Sequence, residues 1–208
     1  MKTKLFALAL MVLFVGAHAS AQIMGLGGYG TKSLDISFSP LGYTHYSISA
    51  DKYYYKSYMN VNLGYESNLQ GMSTLTELTY SKAKFDKSEL SPTSVFDPNL
   101  KEDITNISLS MLMGKIINEK SRFQIPIYYG PKFDYVKGGP FHNLTINFCV
   151  KARLKFYFSD RFAIFVGGTG AYGWGNKRPI EGLEGKEGHS ISAINAAADA
   201  GISINLGN

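Results

Sequence analysis

The side chains best placed for chemistry are His45 and Ser47, which lie two residues apart in the tripeptide His45-Tyr46-Ser47. Such residues share one face of an extended strand, so the imidazole could act as general base for the serine hydroxyl. The sequence shows no specific acidic partner for this histidine. Because the chain contains many serines, the spacing also arises easily by chance, and a structural role for both residues is the simpler interpretation.

Metal and cofactor chemistry have little support. His45, His142 and His189 lie far apart, and Cys149 is the only cysteine, so neither a histidine cluster nor a thiolate pair predicts a metal site. The glycines of residues 25–30 follow no predicted strand and open no helix, as a phosphate-binding loop would require. We therefore expect no metal and no cofactor.

A second set of ionisable groups lies on one face of the most regular segment, Leu144–Phe158. Its alternate residues are apolar, and the intervening positions are mostly polar and include three cations. This period of two predicts a long strand with one apolar and one polar face. Carboxylates at polar positions of other segments are candidate partners for the cations. The predicted charge network consists of Glu77, Lys151, Arg153, Lys155 and Asp199.

The chain is predicted to be all-β, because similar alternation recurs and no amphipathic helical period of useful length separates the segments. Pro126 and Pro131 interrupt the fifth segment, where we expect a bulge or an early strand end near Gly130, since proline cannot donate to a ladder. The eight predicted strands are Leu34–Tyr46, Ser57–Tyr65, Met72–Phe85, Ile104–Ile116, Arg122–Tyr135, Leu144–Phe158, Arg161–Trp174 and Ile191–Leu206.

The predicted connections alternate between long and short. Outer-membrane barrels have an even number of strands, short periplasmic turns and longer extracellular loops. The pattern therefore favours an eight-stranded antiparallel up-and-down transmembrane β-barrel. The long connections are Ser47–Lys56, Asp86–Asp103, Val136–Asn143 and Gly175–Ser190, and the short ones are Glu66–Gly71, Ile117–Ser121 and Ser159–Asp160.

Two of the long connections combine aromatic and cationic side chains. Exposed loops on a rigid scaffold often bind ligands, and this combination suits sugars or acidic headgroups. The alternative, which we prefer, is that these residues anchor the barrel at the membrane interface. The candidate loop residues are Tyr53, Tyr54, Tyr55, Lys56, Trp174, Lys177 and Arg178.

Alternation alone does not determine which face of a strand points inward. In a soluble exported barrel resembling a lipocalin, Phe148, Val150 and Leu154 would line a core that binds a small apolar ligand. In a membrane barrel the same residues meet lipid and the polar residues fill the lumen, which eight strands leave just wide enough for side chains. Strand length and connection lengths favour the membrane barrel, with a lumen plugged by polar side chains.

The N-terminus predicts export. Lys2 and Lys4 precede an apolar run, and small residues at Ala19 and Ala21 suit cleavage after Ala21. Residues 1–21 are thus predicted to be a cleaved signal peptide and residues 22–208 a single barrel domain. The formal net charge of the full chain is only +5, and it becomes smaller when Lys2 and Lys4 leave with the signal peptide. So small a positive charge argues against nucleic acid as a partner.

The mature chain resembles the small outer-membrane β-barrel proteins of Gram-negative bacteria, the OmpA-like eight-stranded group. The final segment Gly201–Leu206 is similar to the C-terminal strand signal of that group, although the chain lacks the usual terminal aromatic residue. The junction Ser20-Ala21-Gln22 is similar to those of Bacteroidota envelope proteins. The resemblance implies a monomer in the outer membrane, with membrane lipid and the barrel-assembly machinery as its partners.

Three functions are compatible with these observations. The first is a non-enzymatic outer-membrane barrel with a structural role or a surface-binding role through its extracellular loops. The second is the soluble ligand binder. The third is a membrane lipid A deacylase, because His45 and Ser47 resemble the His-x-Ser pair of that family, although the pair lies earlier in this chain than the resemblance would place it.

Overall fold

The computed structural model describes residues 31–48, 50–69, 72–92, 94, 102–138, 141–175 and 191–207. Each strand in this part of the chain pairs antiparallel with its sequence neighbours, and β1 pairs with β8, so the sheet closes into a barrel. The predicted fold class is confirmed. The predicted signal peptide lies outside the described residues. The strands are β1 (Thr31–Ile48), β2 (Asp51–Leu69), β3 (Met72–Glu89), β4 (Ile104–Ile117), β5 (Phe123–Gly138), β6 (Phe141–Tyr157), β7 (Phe162–Gly175) and β8 (Ile191–Gly207).

The barrel is apolar outside and polar inside. On β6, Phe148 and Val150 are 56% and 45% exposed, whereas the neighbouring Cys149 is 1% exposed. The same alternation runs along the other strands, where serine, threonine, asparagine and charged residues are buried in the interior. Since the period of a strand is two, the register fixes the direction of the side chains between one irregularity and the next. Such irregularities fall between Phe38 and Leu41 in β1 and between Ser57 and Met59 in β2.

Two predicted long connections are wrong. β1 and β2 continue pairing up to Ile48 and Asp51, and β5 and β6 pair up to Gly138 and Phe141. Only residues 49–50 and 139–140 connect these strands. The alternation that we expected to stop at Tyr46 and Tyr135 extends further, which keeps the additional backbone groups hydrogen-bonded.

The prolines of β5 do not end the strand. Pro126 pairs with Ile116, and Pro131 pairs with Phe148. The expected early strand end near Gly130 is therefore wrong. The ladder to β4 is nevertheless interrupted here, because the paired residues pass from Tyr129 to Lys132 without a partner for the two residues between them.

The ends of the barrel differ in the lengths of their connections. At one end the long connections 90–103 and 176–190 occur together with the short ones 49–50 and 139–140, whereas residues 70–71, 118–122 and 158–161 connect the strands at the other end. Long connections are typical of the extracellular side of such barrels. We therefore call the end with residues 90–103 and 176–190 the extracellular end. Among the described residues, no helix is long and apolar enough to cross a bilayer.

Candidate functional site

The cations of β6 lie inside the barrel and are almost completely buried. Arg153 is 1% exposed, and its guanidinium donates to Asp35 Oδ2 at 2.6 Å and to Glu77 Oε2 at 2.7 Å. The first contact joins β6 to β1 and the second joins β6 to β3, so both span the lumen. An arginine at this position satisfies two carboxylates at once, because its planar fork carries several donors.

The lysines on either side of Arg153 extend the network along the barrel axis. Lys151 Nζ lies 2.7 Å from Glu77 Oε1 and 3.1 Å from Asp199 Oδ2. Lys155 Nζ lies 2.9 Å from Glu66 Oε2. The structure thus brings Lys151 and Arg153 to the carboxylates expected from the sequence, whereas Lys155 contacts different ones.

Two carboxylates of this network were missed by sequence reasoning. Asp35 lies between the apolar residues Leu34 and Ile36 of β1, so the period of two places it on the polar face of that strand. It could therefore have been found from the sequence. Glu66 fell in a predicted turn because β2 was expected to end at Tyr65, whereas the strand continues to Leu69. We name the seven side chains the interior charge network. Its members are Asp35, Glu66, Glu77, Lys151, Arg153, Lys155 and Asp199.

A glycine of β7 makes room for the centre of this network. A Cβ atom at Gly167 would lie 2.8 Å from Arg153 Cγ and 2.7 Å from Asp199 Oδ1. Beside it, the ring of Phe165 lies 4.3 Å below the guanidinium carbon of Arg153. Gly167 of β7 therefore leaves the space that the charged side chains occupy.

A second polar layer lies nearer the extracellular end. Asp134 Oδ2 accepts from Asn147 Nδ2 at 3.0 Å and from Asn195 Nδ2 at 3.2 Å. Lys132 Nζ lies 3.2 Å from Asp134 Oδ1. These groups join β5, β6 and β8 around one buried carboxylate.

Above this layer, tyrosines and aliphatic side chains fill the extracellular end of the interior. Tyr53 and Tyr55 belong to it, so the expectation that they lie in an extracellular loop is wrong. They are only 2% and 0% exposed, because the irregularity between Ser57 and Met59 moves the inward positions of β2 from the even-numbered residues, such as Asn60, to the odd-numbered Tyr53 and Tyr55. We call this cluster the interior cap. Its buried members are Tyr46, Ile48, Tyr53, Tyr55, Ala83, Ile104, Val136, Ile191 and Ala193.

The remaining loop candidates point outward or lie outside the described residues. Tyr54 and Lys56 are outward residues of β2 and not of a loop, and Lys56 Nζ lies 2.8 Å from Asp86 Oδ1. Trp174 belongs to β7, is 61% exposed and packs edge-on against Tyr172. The last two candidates, Lys177 and Arg178, lie outside the described residues.

His45 and Ser47 meet on the outer surface, above the apolar band of β1. Ser47 Oγ lies 3.2 Å from His45 Nε2, and the imidazole stacks on Tyr54 with ring centroids 4.6 Å apart. Partial burial and the nearby Lys52 lower the pKa of His45. A neutral imidazole can accept a proton from a serine hydroxyl. Within the described part of the chain, no carboxylate hydrogen-bonds to this histidine.

The exterior excludes the arrangement that a soluble ligand binder requires. Phe148, Val150 and Leu154 point outward and are about half exposed, instead of lining a core. Rings at both ends of the strands also face outward. At the periplasmic end Phe158 stacks on Phe162 with centroids 6.2 Å apart. An apolar exterior with a charged interior suits lipid outside the barrel.

The fold and this polarity define the class of protein: an outer-membrane β-barrel. The structure is similar to that of the outer-membrane protein OprG from Pseudomonas aeruginosa, with a TM-score of 0.56 and 8% identity over 87% of this chain and 99% of that chain. At this identity the likeness concerns the fold alone. No family model and no curated protein sequence matches the chain.

Two further solved structures match with lower scores. Neisserial surface protein A gives a TM-score of 0.45 at 12% identity, covering 84% of this chain and 96% of that chain. The attachment invasion locus protein Ail of Yersinia pestis gives 0.43 at 12% identity, covering 84% and 99%.

Proposed function

We propose that the protein is a non-enzymatic outer-membrane barrel with a closed lumen, which contributes to the structure of the envelope and binds ligands only at its outer surface. The observation that carries this proposal is the burial of Lys151, Arg153 and Lys155, each at most 2% exposed. In a water-filled channel these cations would be hydrated. Here they are paired with carboxylates across the lumen.

The interior cap supports the same proposal from the extracellular end. Its tyrosine and aliphatic side chains occupy the section of the lumen above Asp134, so a solute would have to displace packed side chains before it met the charged layers. A narrow eight-stranded barrel leaves little space beyond what such side chains fill.

Conductance measurements test the closed lumen. We expect no ion-conducting steps when the purified, folded full chain is inserted into planar bilayers. A general porin inserted in parallel should give such steps. Steady single-channel steps of the folded protein would contradict the proposal. A heat-modifiability gel on the membrane fraction tests the location, because a folded barrel migrates differently before and after boiling. Recovery of the chain in the soluble periplasm would contradict it.

We further propose that the barrel is a monomer, embedded directly in outer-membrane lipid and inserted by the barrel-assembly machinery through β8. The ladder closes between β1 and β8, so the described sheet offers no free edge to a second copy. The outward residues of β8 near its end include Ile202 and Leu206, 47% and 56% exposed. Depletion of the assembly machinery should leave the protein unfolded, and cross-linking in membranes should yield a single-chain species.

A second candidate function, lipid A deacylation, rests on one observation: the 3.2 Å contact between Ser47 and His45 on the outer face. In this candidate Ser47 Oγ attacks an ester carbonyl of lipid A while His45 takes the serine proton, the sugar hydroxyl leaves with that proton as the ester C–O bond breaks, and water then releases the fatty acid from Ser47. Mass spectra of lipid A from cells expressing the wild type, His45→Ala or Ser47→Ala decide it. An acyl chain lost only with the wild type would establish the deacylase. Identical spectra would remove it and leave the structural role.

A further inference from the structure

We propose that the outward face of β2 and β3, just above the bilayer, binds the phosphate groups of a phosphorylated glycolipid headgroup in the outer leaflet. This inference rests on the proposed outer-membrane location. The site is a group of lysines that we call the lysine patch. Its members are Lys52 and Lys56 on β2 and Lys82, Lys84 and Lys87 on β3.

The patch begins where the apolar exterior ends. Val61 pairs with Tyr80, and both point outward with more than a third of their surface exposed. The next outward residue on β3 is Lys82, and the one after it is Lys84. Two residues of a strand rise only about 7 Å. The change from apolar to cationic side chains is therefore sharp and falls at the level where lipid headgroups begin.

The arrangement of the lysines is unfavourable unless an anion is present. Lys56 and Lys84 are direct cross-strand partners, and like charges at such positions destabilise a sheet. Asp86 pairs with Lys56 at 2.8 Å. In the part of the chain that the structure describes, no carboxylate lies within ion-pair distance of Lys82 or Lys84.

The other lysines share a single carboxylate. Glu89 lies 3.4 Å from Lys52 and 3.3 Å from Lys87. The hydrogen bond from Lys87 lowers the pKa of Glu89, which is therefore ionised at neutral pH. Among the residues that the structure describes, the five lysines thus pair with two carboxylates, Asp86 and Glu89, so this part of the chain leaves the patch with a positive charge.

Aromatic rings on the same face hold the cations and offer a surface for sugars. Lys84 Nζ lies 5.6 Å from the ring centre of Tyr58, and Lys87 Nζ lies 4.7 Å from that of Tyr54. Cations alternating with tyrosine rings suit a ligand that carries both phosphate and sugar. A phosphorylated glycolipid has both, and its acyl chains would lie against the apolar band below.

The position of the patch on one side of the barrel distinguishes it from a general ring of interfacial anchors. Away from β2 and β3, the described outward residues near the extracellular end include Tyr135, Leu144 and Trp174, and Lys137 is a single exposed cation among them. Interfacial lysines that only anchor a barrel have no reason to gather on two adjacent strands.

The test compares vesicles of phosphatidylcholine containing either diphosphorylated lipid A or its dephosphorylated form. The folded full chain is extracted from each, and retained glycolipid is counted by native mass spectrometry. The test variant is Lys82→Gln/Lys84→Gln. The matched control is Lys32→Gln/Lys115→Gln, which removes two exposed outward lysines at the periplasmic ends of β1 and β4.

The wild type and the control are expected to retain the phosphorylated lipid. The test variant should bind it about thirtyfold more weakly, since each of the two lysines near an anionic surface contributes about fivefold. Two results would overturn the headgroup site but leave the outer-membrane location unaffected. One is an equal loss of lipid binding in the test and control variants, and the other is equal retention of the phosphorylated and dephosphorylated lipid by the wild type. Failure of every chain to insert into vesicles would instead overturn the outer-membrane location and the site with it.

Folding is checked separately. In phosphatidylcholine alone, the test variant should be as stable as the wild type or more stable, because Lys84→Gln relieves the repulsion by Lys56. A test variant that unfolds in neutral vesicles would show that the lysines are needed for the fold itself, and would overturn this account of the patch.

Discussion

Replacing Arg153 by methionine is the most direct test of the barrel interior. Methionine keeps much of the volume and removes the charge and all the donors. Asp35 then loses its 2.6 Å partner and retains Lys155 at 3.7 Å, while Glu77 retains Lys151 at 2.7 Å. The loss of stability therefore arises mainly at Asp35, which loses its closest partner and is only 1% exposed.

The expected cost follows from the burial of that carboxylate. Removing one partner of a buried ion pair typically costs about 3–5 kcal/mol, whereas an exposed pair contributes about 1 kcal/mol or less. Loss of the contact with Phe165 adds to the cost, and better packing of methionine offsets part of it. We expect the free energy of unfolding to fall by about 3–4 kcal/mol.

Urea unfolding of the barrel in lipid vesicles measures this change. Trp174 is the only tryptophan, and it faces outward, so its fluorescence reports transfer from lipid to water. Arg161→Met, at an exposed arginine in the turn before β7, is the matched control and should change stability by less than about 0.5 kcal/mol. Adding Asp35→Asn to Arg153→Met should restore part of the loss, because it removes the stranded charge.

A small change in stability would contradict a dry interior in which Arg153 neutralises Asp35. If Arg153→Met costs less than about 1 kcal/mol, the interior ions behave like exposed pairs, which requires water in the lumen. The double variant Asp35→Asn/Arg153→Met distinguishes two possible causes of the lost stability, an unpaired carboxylate and poorer packing. If the double variant is no more stable than Arg153→Met alone, the loss comes from packing and not from an unpaired carboxylate.

Three further outcomes are expected. Gly167→Val should cost about 1–3 kcal/mol of stability by urea unfolding, because its side chain collides with the charge network, whereas Gly168→Val should be nearly neutral; equal effects would contradict the packing argument. Cys149 in the folded barrel should resist a membrane-impermeant maleimide and react after unfolding; rapid labelling of the folded state would indicate an open lumen. By NMR, His45 should titrate below its ordinary pKa of 6.5, so its contribution to stability is present above that pH and is lost as the pH falls through the lower folded pKa. Lys52→Gln should raise this pKa, and an unchanged value would exclude the lysine as a cause.

The strands and their polarity could be predicted because a period of two is a local property of the sequence. The predicted strand Leu144–Phe158 starts three residues after β6 and ends one residue beyond it, since β6 covers Phe141–Tyr157. Strand ends were less predictable. Asp51 and Lys52 have loop-like composition, and only pairing with the end of β1 reveals that they extend β2.

The site could be predicted only in part, for a related reason. Periodicity shows that Lys151 and Lys155 share one face, but not which carboxylates stand across the lumen. That depends on the stagger of the strands around the closed barrel, which brings Glu66 to Lys155. The lysine patch was partly visible as Lys56 beside tyrosines, yet its other members lie on the next strand and become neighbours only through register.

The same stagger gives the buried charges a further consequence for folding. The pairs that join Arg153 to Asp35 and Lys151 to Glu77 span the lumen, so they form only when the barrel is closed. Strands that slip by two residues keep their apolar face toward lipid, and the hydrophobic pattern alone does not oppose such a slip. A two-residue slip of β1, for example, would place Ser33 or Ser37 instead of Asp35 opposite the buried Arg153, at a cost of several kcal/mol. The interior ions thus favour one register among those that the apolar exterior allows, and this role for buried charged residues requires no passage of solutes.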